Sequence, residues 1–129
     1  MKSSGLSPYL LSVLRLVAAF VYIAHGTQKL FGVPGGAFHA PAVAMTLMFA
    51  AGVIETFGGI LMFLGLFTRP VAFVLSGQMA VAYYIQHYPK GFWPLLNGGE
   101  LAVLYCFLWL FFCVAGPGKI SVDAMRGRA

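Results

Sequence analysis

The feature that most constrains this chain is a single carboxylate inside a long apolar stretch. Glu55 stands among apolar residues that continue on both sides of it, from position 42 to position 67. An ionisable group near the middle of a membrane span costs about 2.5–3.5 kcal/mol, and it nearly always faces the protein interior. We therefore predict that Glu55 turns toward other helices and meets a partner there.

The composition indicates a bilayer as the solvent for this chain. Of its 129 residues, 60% are hydrophobic and 9% are charged, whereas about 25% are charged in ordinary soluble domains. A small soluble domain leaves roughly a third of its chain surface exposed and could not hide so much apolar area. The formal charge is +5, but the basic residues stand at the ends of the apolar runs, without interleaved aromatic residues. They indicate membrane topology and argue against nucleic-acid binding.

The apolar residues form four runs, each able to cross a hydrocarbon core about 30 Å thick as a helix. No two-residue alternation indicates a barrel. The sequence thus predicts one domain: an all-α, integral membrane four-helix bundle with a basic cytoplasmic tail. The four spans and the tail are residues 6–31, 42–67, 71–88, 96–115 and 119–129.

Basic residues near the predicted span ends set the orientation. Lys2, Arg69 and the tail share one side of the bundle, which carries more basic residues than the side with Lys29 and Lys90. Because cytoplasmic loops are enriched in Lys and Arg, both termini are predicted to be cytoplasmic.

Polar side chains form a stripe on the first helix. Arg15, Tyr22, His25 and Lys29 are spaced by seven, three and four residues and so share one face. Helix rise then predicts a mid-membrane cluster of Glu55, Arg15 and Tyr22, with Arg15 and Glu55 as a buried pair. It also predicts an outer cluster of five residues: His25, Gln28, Lys29, Asn97 and Glu100. These clusters either lock the helix register or bind a polar-headed molecule and relay protons.

The third and fourth helices add further polar residues. Gln78 and His87 are nine residues apart, which places them on nearly opposite faces of a regular helix and argues against one shared site. Asn97 is suited to cap the fourth helix, with Glu100 in a capping-box position three residues later.

Motifs in order along most of the chain resemble the DoxX family of small bacterial membrane proteins. The residues that carry the resemblance are Arg15-Leu16, His25-Gly26, Lys29-Leu30-Phe31-Gly32, Glu55, Gly58-Gly59, Gly65-Leu66, Thr68-Arg69, Gly91-Phe92, Asn97-Gly98-Gly99-Glu100, Gly116-Pro117-Gly118, Ser121 and Asp123. The resemblance implies a multi-pass bundle in the bacterial inner membrane that is associated with redox systems. Some relatives are subunits of a thiosulfate:quinone oxidoreductase or of a quinol oxidase complex, and others accompany thiol-redox or stress-defence partners.

The chain carries no CxxC, haem-attachment or nucleotide-binding motif. If it has a catalytic role, we expect an oxidoreductase subunit without an intrinsic cofactor, which binds a quinone. The candidate ligand-binding or proton-relay residues are Glu55, Glu100, His25, Arg15, Lys29, Tyr22 and Asn97.

Three alternatives remain open at this point. The first is a non-enzymatic scaffold for soluble or membrane redox partner proteins. The second is a small transporter, which would require a homo-oligomer. The third alternative is a metal site on the outer side of the membrane. It is not the main prediction, since no HxxxH or ExxH spacing occurs. That site would use His25, His39, His87 and Glu100.

Overall fold

The computed structural model describes residues 5–36 and 42–129, and for residues 42–44 the backbone alone. All regular secondary structure in these ranges is helical. The elements are α1 (Ser7–Phe31), α2 (Ala42–Leu64), α3 (Thr68–Ala82), a π-helical turn (Tyr83–His87), a 3-10 turn (Tyr88–Lys90), α4 (Pro94–Asn97), α5 (Glu100–Ala115) and α6 (Val122–Met125).

Two helices are long and apolar enough to cross a membrane. They are α1 and the part of α2 from Met45 to Leu64. Pro8 lies in the first turn of α1, where its missing N–H costs no hydrogen bond, and Gly32 ends the helix in a left-handed conformation with φ 67°. The apolar helix α5 is shorter, with 16 residues.

The third and fourth predicted spans differ from the helices that form. α3 begins at Thr68 rather than 71, and after Ala82 the chain continues through the π-helical and 3-10 turns to Lys90. The predicted span 96–115 is divided, because Gly98 takes a left-handed φ of 73° that ends α4. α5 then starts at Glu100.

α1 and α2 pack closely in antiparallel directions, and glycines set their register. A Cβ added to Gly52 would lie 2.9 Å from the Leu30 side chain, and one added to Gly59 would lie 2.7 Å from Ile23. Small residues let helices approach closely in lipid, where dispersion rather than the hydrophobic effect drives packing. Gly52 and Gly59 are therefore positions at which α1 and α2 pack closely.

α3 packs mainly against α5, and α2 meets α3 over a smaller interface. Aromatic side chains fill the interior between α1 and α5. The ring centroids of Tyr22 and Tyr105 are 5.0 Å apart, and Trp109 lies edge-on to Tyr22 at 5.2 Å. Tyr105 also donates a hydrogen bond to the Ala18 carbonyl, 3.0 Å away.

Candidate functional site

Glu55 is buried between α1, α2 and α3, and both of its carboxylate oxygens have partners. The side chain is 2% exposed. Oε2 lies 2.5 Å from the Lys29 ammonium, and Oε1 accepts a 2.9 Å hydrogen bond from the Gln78 amide. The prediction that this acid turns inward and meets a partner is therefore confirmed.

Tyr22 extends the network by one residue. Its hydroxyl donates to Oε1 of Gln78, whose amide nitrogen donates in turn to Glu55. Because a phenol hydroxyl can donate and a carboxylate only accepts, these contacts fix the orientation of the Gln78 amide. A continuous hydrogen-bonded chain thus runs from Tyr22 to Lys29 through Gln78 and Glu55.

The predicted pair of Arg15 and Glu55 is wrong. Arg15 is 1% exposed and donates to carbonyl oxygens instead. Its Nε lies 2.9 Å from the Pro117 oxygen. Its terminal nitrogens donate to the backbone carbonyls of Met62, Phe63 and Ile120. These acceptors include carbonyls at the C-terminal end of α2, where a helix has no intrahelical donors left and attracts cations.

The register of α1 against α2 explains the different partners. A Cβ on Gly26 would lie 3.0 Å from the Glu55 carbonyl carbon, so Glu55 stands level with Gly26. Arg15 is eleven residues earlier, roughly 16 Å along the helix axis at 1.5 Å per residue. Lys29 is less than one turn from Gly26 and reaches Glu55 directly.

A partly open cavity of about 330 Å³ adjoins the Glu55 network. It lies between α1, α2, α3, the π-helical turn and the start of α5. Its polar lining residues are Tyr22, His25, Gln28, Lys29, Glu55, Gln78, Gln86, His87 and Tyr105. The volume falls within the range of about 300–1,000 Å³ that is typical of small-molecule sites.

Two histidines line this cavity with hydrogen-bonding capacity to spare. The His25 ring makes no hydrogen bond with any residue in the described ranges, although it lies in the electrostatic field of Lys29 and Glu55. Nδ1 of His87 lies 3.1 Å from the Asn97 carbonyl oxygen. Since that oxygen only accepts, Nδ1 carries the proton, and Nε2 remains available to a ligand.

Gln78 and His87 serve one cavity, contrary to the expectation from regular helix geometry. The intervening π-helical turn, Tyr83–His87, uses wider i→i+5 hydrogen bonds. Each of its residues advances less around the axis than the 100° of an α-helix. The wider turn reduces the angle between the two side chains, so that both face the cavity.

Asn97 and Glu100 do not form the predicted capping box. Gly99 is the N-cap of α5 and no side chain caps it. Asn97 is buried, and its side-chain amide binds the segment before α4. The amide donates hydrogen bonds to the Tyr83 hydroxyl (3.0 Å) and to the Gly91 carbonyl (2.8 Å). Glu100 is exposed and does not line the cavity.

One member of the predicted outer cluster and the alternative metal set remain to be placed. Gln28 lines the cavity and donates to the Gly35 carbonyl at 2.6 Å. His39, one residue of the alternative metal set, lies outside the described residues. Within residues 5–36 and 42–129, no three His, Cys, Asp or Glu side chains come together as a metal site.

At the end of the molecule away from the Glu55 cavity, the C-terminal segment packs against the turn between α2 and α3. Asp123 is buried and accepts hydrogen bonds from the backbone N–H groups of Phe67 (3.0 Å) and Thr68 (2.8 Å). Burial alone would raise the pKa of the Asp123 carboxyl, but these hydrogen bonds and the nearby Arg126 outweigh burial and lower it. The first part of the predicted tail is thus anchored to the α2–α3 turn.

Three polar residues that line the cavity are absent from the predicted site. Gln78 belongs to neither predicted cluster, and Gln86 and Tyr105 are not among the predicted site residues. All three are polar groups within or beside apolar runs, so the rule that drew attention to Glu55 applied to them as well. Of the three, Gln86 alone lies in the π-helical turn, whose wider geometry departs from regular helix periodicity.

Comparison with known proteins identifies the family. The DoxX family model matches residues 10–88. An uncharacterized protein of Haemophilus influenzae is 47% identical over 123 residues, covering 90% of each chain. The inner membrane protein YphA of Escherichia coli is 26% identical over 129 residues, covering 90% of this chain and 89% of that protein. No solved structure gives a significant match. The chain therefore belongs to the DoxX family and is a membrane protein.

Proposed function

We propose that this chain binds a lipophilic molecule with a polar head, of the quinone type, in the Glu55 cavity. In this proposal it acts as a redox-associated subunit rather than as a stand-alone catalyst. The observation that carries the proposal is the cavity of about 330 Å³ at the end of a buried, fully connected polar network. Costly ionisable groups in an apolar bundle indicate a functional site by default.

The membrane arrangement that we propose is a four-helix bundle in the bacterial inner membrane with both termini in the cytoplasm. α1, α2, α5 and the continuous helical segment from Thr68 to Lys90 would be the spans. Exposed basic residues at the end where α1 begins and α6 lies support this orientation, namely Arg69, Lys119, Arg126 and Arg128. The name of the E. coli relative agrees with an inner-membrane location.

The lining residues suit a head group with carbonyl or hydroxyl oxygens. Lys29 can donate to such an oxygen while keeping its ion pair, because an ammonium carries three donors. The His25 ring and Nε2 of His87 offer imidazole nitrogens that can hydrogen-bond to such a head group. A bound quinone supplies two-electron chemistry with two protons, and its electrons would come from a partner protein. The residues of this chain would orient the head and hold the protons.

The test is equilibrium binding of a short-chain quinone to the purified protein in nanodiscs. We expect saturable binding that weakens about tenfold or more in His25→Ala and in Glu55→Gln. Glu100→Gln is the matched control, because it removes a carboxylate that is exposed and outside the cavity. Absence of saturable binding, or equal binding by all four proteins, would refute the proposal.

A scaffold role is the second candidate, and one observation favours it. The C-terminal segment is held against the end of α2 by Arg15 and Asp123, so Lys119, Arg126 and Arg128 are displayed from a fixed surface. An acidic soluble redox protein would fit such a surface. Reversing the charge at Arg126 and Arg128 should then abolish capture of the partner without changing quinone binding.

A further inference from the structure

A seam runs between α2 and α3, and their interface is smaller than the other two main helix interfaces. α1 packs tightly on α2, and α3 on α5, whereas α2 and α3 touch over a smaller area. A second space of about 420 Å³ lies along this seam, and every residue that lines it is apolar. Ile54, Phe57 and Leu61 contribute from α2, and Val71, Val74 and Leu75 from α3. We call this space the apolar groove.

The apolar groove begins one helical turn from the Glu55 network on both helices. Gly58, in the groove, follows Glu55 by three residues, and Leu75 precedes Gln78 by three residues. A Cβ on Gly58 would lie 2.6 Å from Cδ2 of Leu75, so α2 and α3 are in close contact at this point of the groove. A polar cavity and an apolar groove thus follow one another along a single seam.

This succession matches the structure of an amphipathic molecule. A head group with oxygen atoms needs the donors and acceptors around Glu55, while a hydrocarbon tail needs only shape and dispersion contacts. From Ile54 to Leu61 the groove extends about 10 Å along α2 at 1.5 Å per residue, enough to hold a flexible chain rather than a single methyl group.

We propose that the apolar groove holds the hydrocarbon tail of the molecule whose head occupies the Glu55 cavity. This inference rests on the proposed function and narrows its ligand to one with a polar head and a long flexible tail. The α2–α3 seam is then the side on which the ligand faces the bilayer. In lipid, burial of the tail gives no hydrophobic gain, so the groove selects by packing.

The test compares two quinone probes with the same head, one with a methyl and one with a decyl substituent. Binding is measured in nanodiscs of one lipid composition, so that partitioning is the same for every variant. Val74→Phe narrows the groove, and Val81→Phe is the matched control. Val74 is 55% exposed and Val81 is 57% exposed, both lie on α3, and only Val74 lines the groove.

We expect Val74→Phe to weaken binding of the decyl probe about tenfold, as overpacking of a filled site does, and to leave the methyl probe unchanged. Val81→Phe should change neither. If both variants bind the decyl probe equally while the methyl probe still binds, bulk lipid fills the groove; the tail site is then refuted and the proposed function stands. If Val74→Phe changes only the oligomeric mass, the groove contacts a second copy, and the inference is again refuted. Failure of the wild type to bind either probe would remove the proposed function as well.

Discussion

Glu55→Gln should destabilise the protein mainly through the charge it leaves behind on Lys29. Breaking a buried ion pair by removing one partner costs about 3–5 kcal/mol. The Lys29 side chain is 15% exposed and borders the cavity, so partial hydration places the cost at about 3 kcal/mol. For a chain of this length, this corresponds to a decrease in Tm of about 10 °C.

A double-mutant cycle assigns the loss to the pair. Lys29→Gln alone should also destabilise, because it leaves the buried carboxylate with Gln78 as its remaining partner. The double variant Glu55→Gln/Lys29→Gln should lose less stability than the sum of the losses in the two single variants. The coupling free energy should be at least about 1.5 kcal/mol. Thermal unfolding of detergent-purified protein, followed by circular dichroism, measures all four proteins.

The control cycle pairs Glu55→Gln with Arg15→Ala. The two sites are about 16 Å apart along α1 and share no partner, so their effects should add within about 0.5 kcal/mol. Additive effects for Glu55 and Lys29, or strong coupling between Glu55 and Arg15, would refute the assignment of partners.

Three further predictions concern the packing of the helices and the C-terminal segment. The pKa of Asp123 is lowered in the folded protein, so its carboxylate stabilises the fold above the ordinary pKa of about 3.8. This contribution is lost as pH falls through the lower folded value. Proteolysis of the C-terminus should therefore accelerate in acid for the wild type and be insensitive to acid in Asp123→Asn. Arg15→Lys should lower the free energy of unfolding by about 3 kcal/mol, because a single ammonium cannot reproduce the guanidinium contacts to four carbonyls. Wild-type stability of this variant in thermal unfolding would contradict this account. Gly52→Val should lower the free energy of unfolding by about 1–3 kcal/mol in the same assay, since the valine side chain would overlap Leu30. Gly77→Val is the control and should lower it less, because the added Cβ has open space.

The helical character of the chain and the inward orientation of Glu55 were predictable from the sequence. Both follow from local physics: apolar runs of sufficient length, and the cost of a charge in a membrane. The stripe containing Tyr22, His25 and Lys29 was also predictable, because helix periodicity places these residues on one face, and all three line the cavity.

The partners of Arg15 and Glu55 were not predictable, because they depend on the register between two helices. The predicted depths follow from the predicted span ends, whereas the actual register is set by close contacts at Gly26, Gly52 and Gly59. Arg15 and Lys29 are fourteen residues apart on α1, about four helical turns, so the register alone decides which of the two reaches Glu55. Nothing in local propensity reports such a shift.

The participation of His87 could not be predicted for a different reason. Helix arithmetic assumes 100° per residue, and the π-helical turn at Tyr83–His87 breaks that assumption. The anchoring of the C-terminal segment by Arg15 and Asp123 was likewise hidden, since it joins residues more than fifty positions apart.

The most direct test of the central claim is mass spectrometry of the gently purified protein, compared with a variant whose cavity is filled. Ala102→Phe projects from α5 into the Glu55 cavity without removing any member of the polar network. We predict that the wild type retains one lipophilic molecule with a polar head and that Ala102→Phe, equally well folded, has lost it. Identical spectra for the two proteins, with the same molecule bound or with none, would contradict the claim that this cavity is the ligand site.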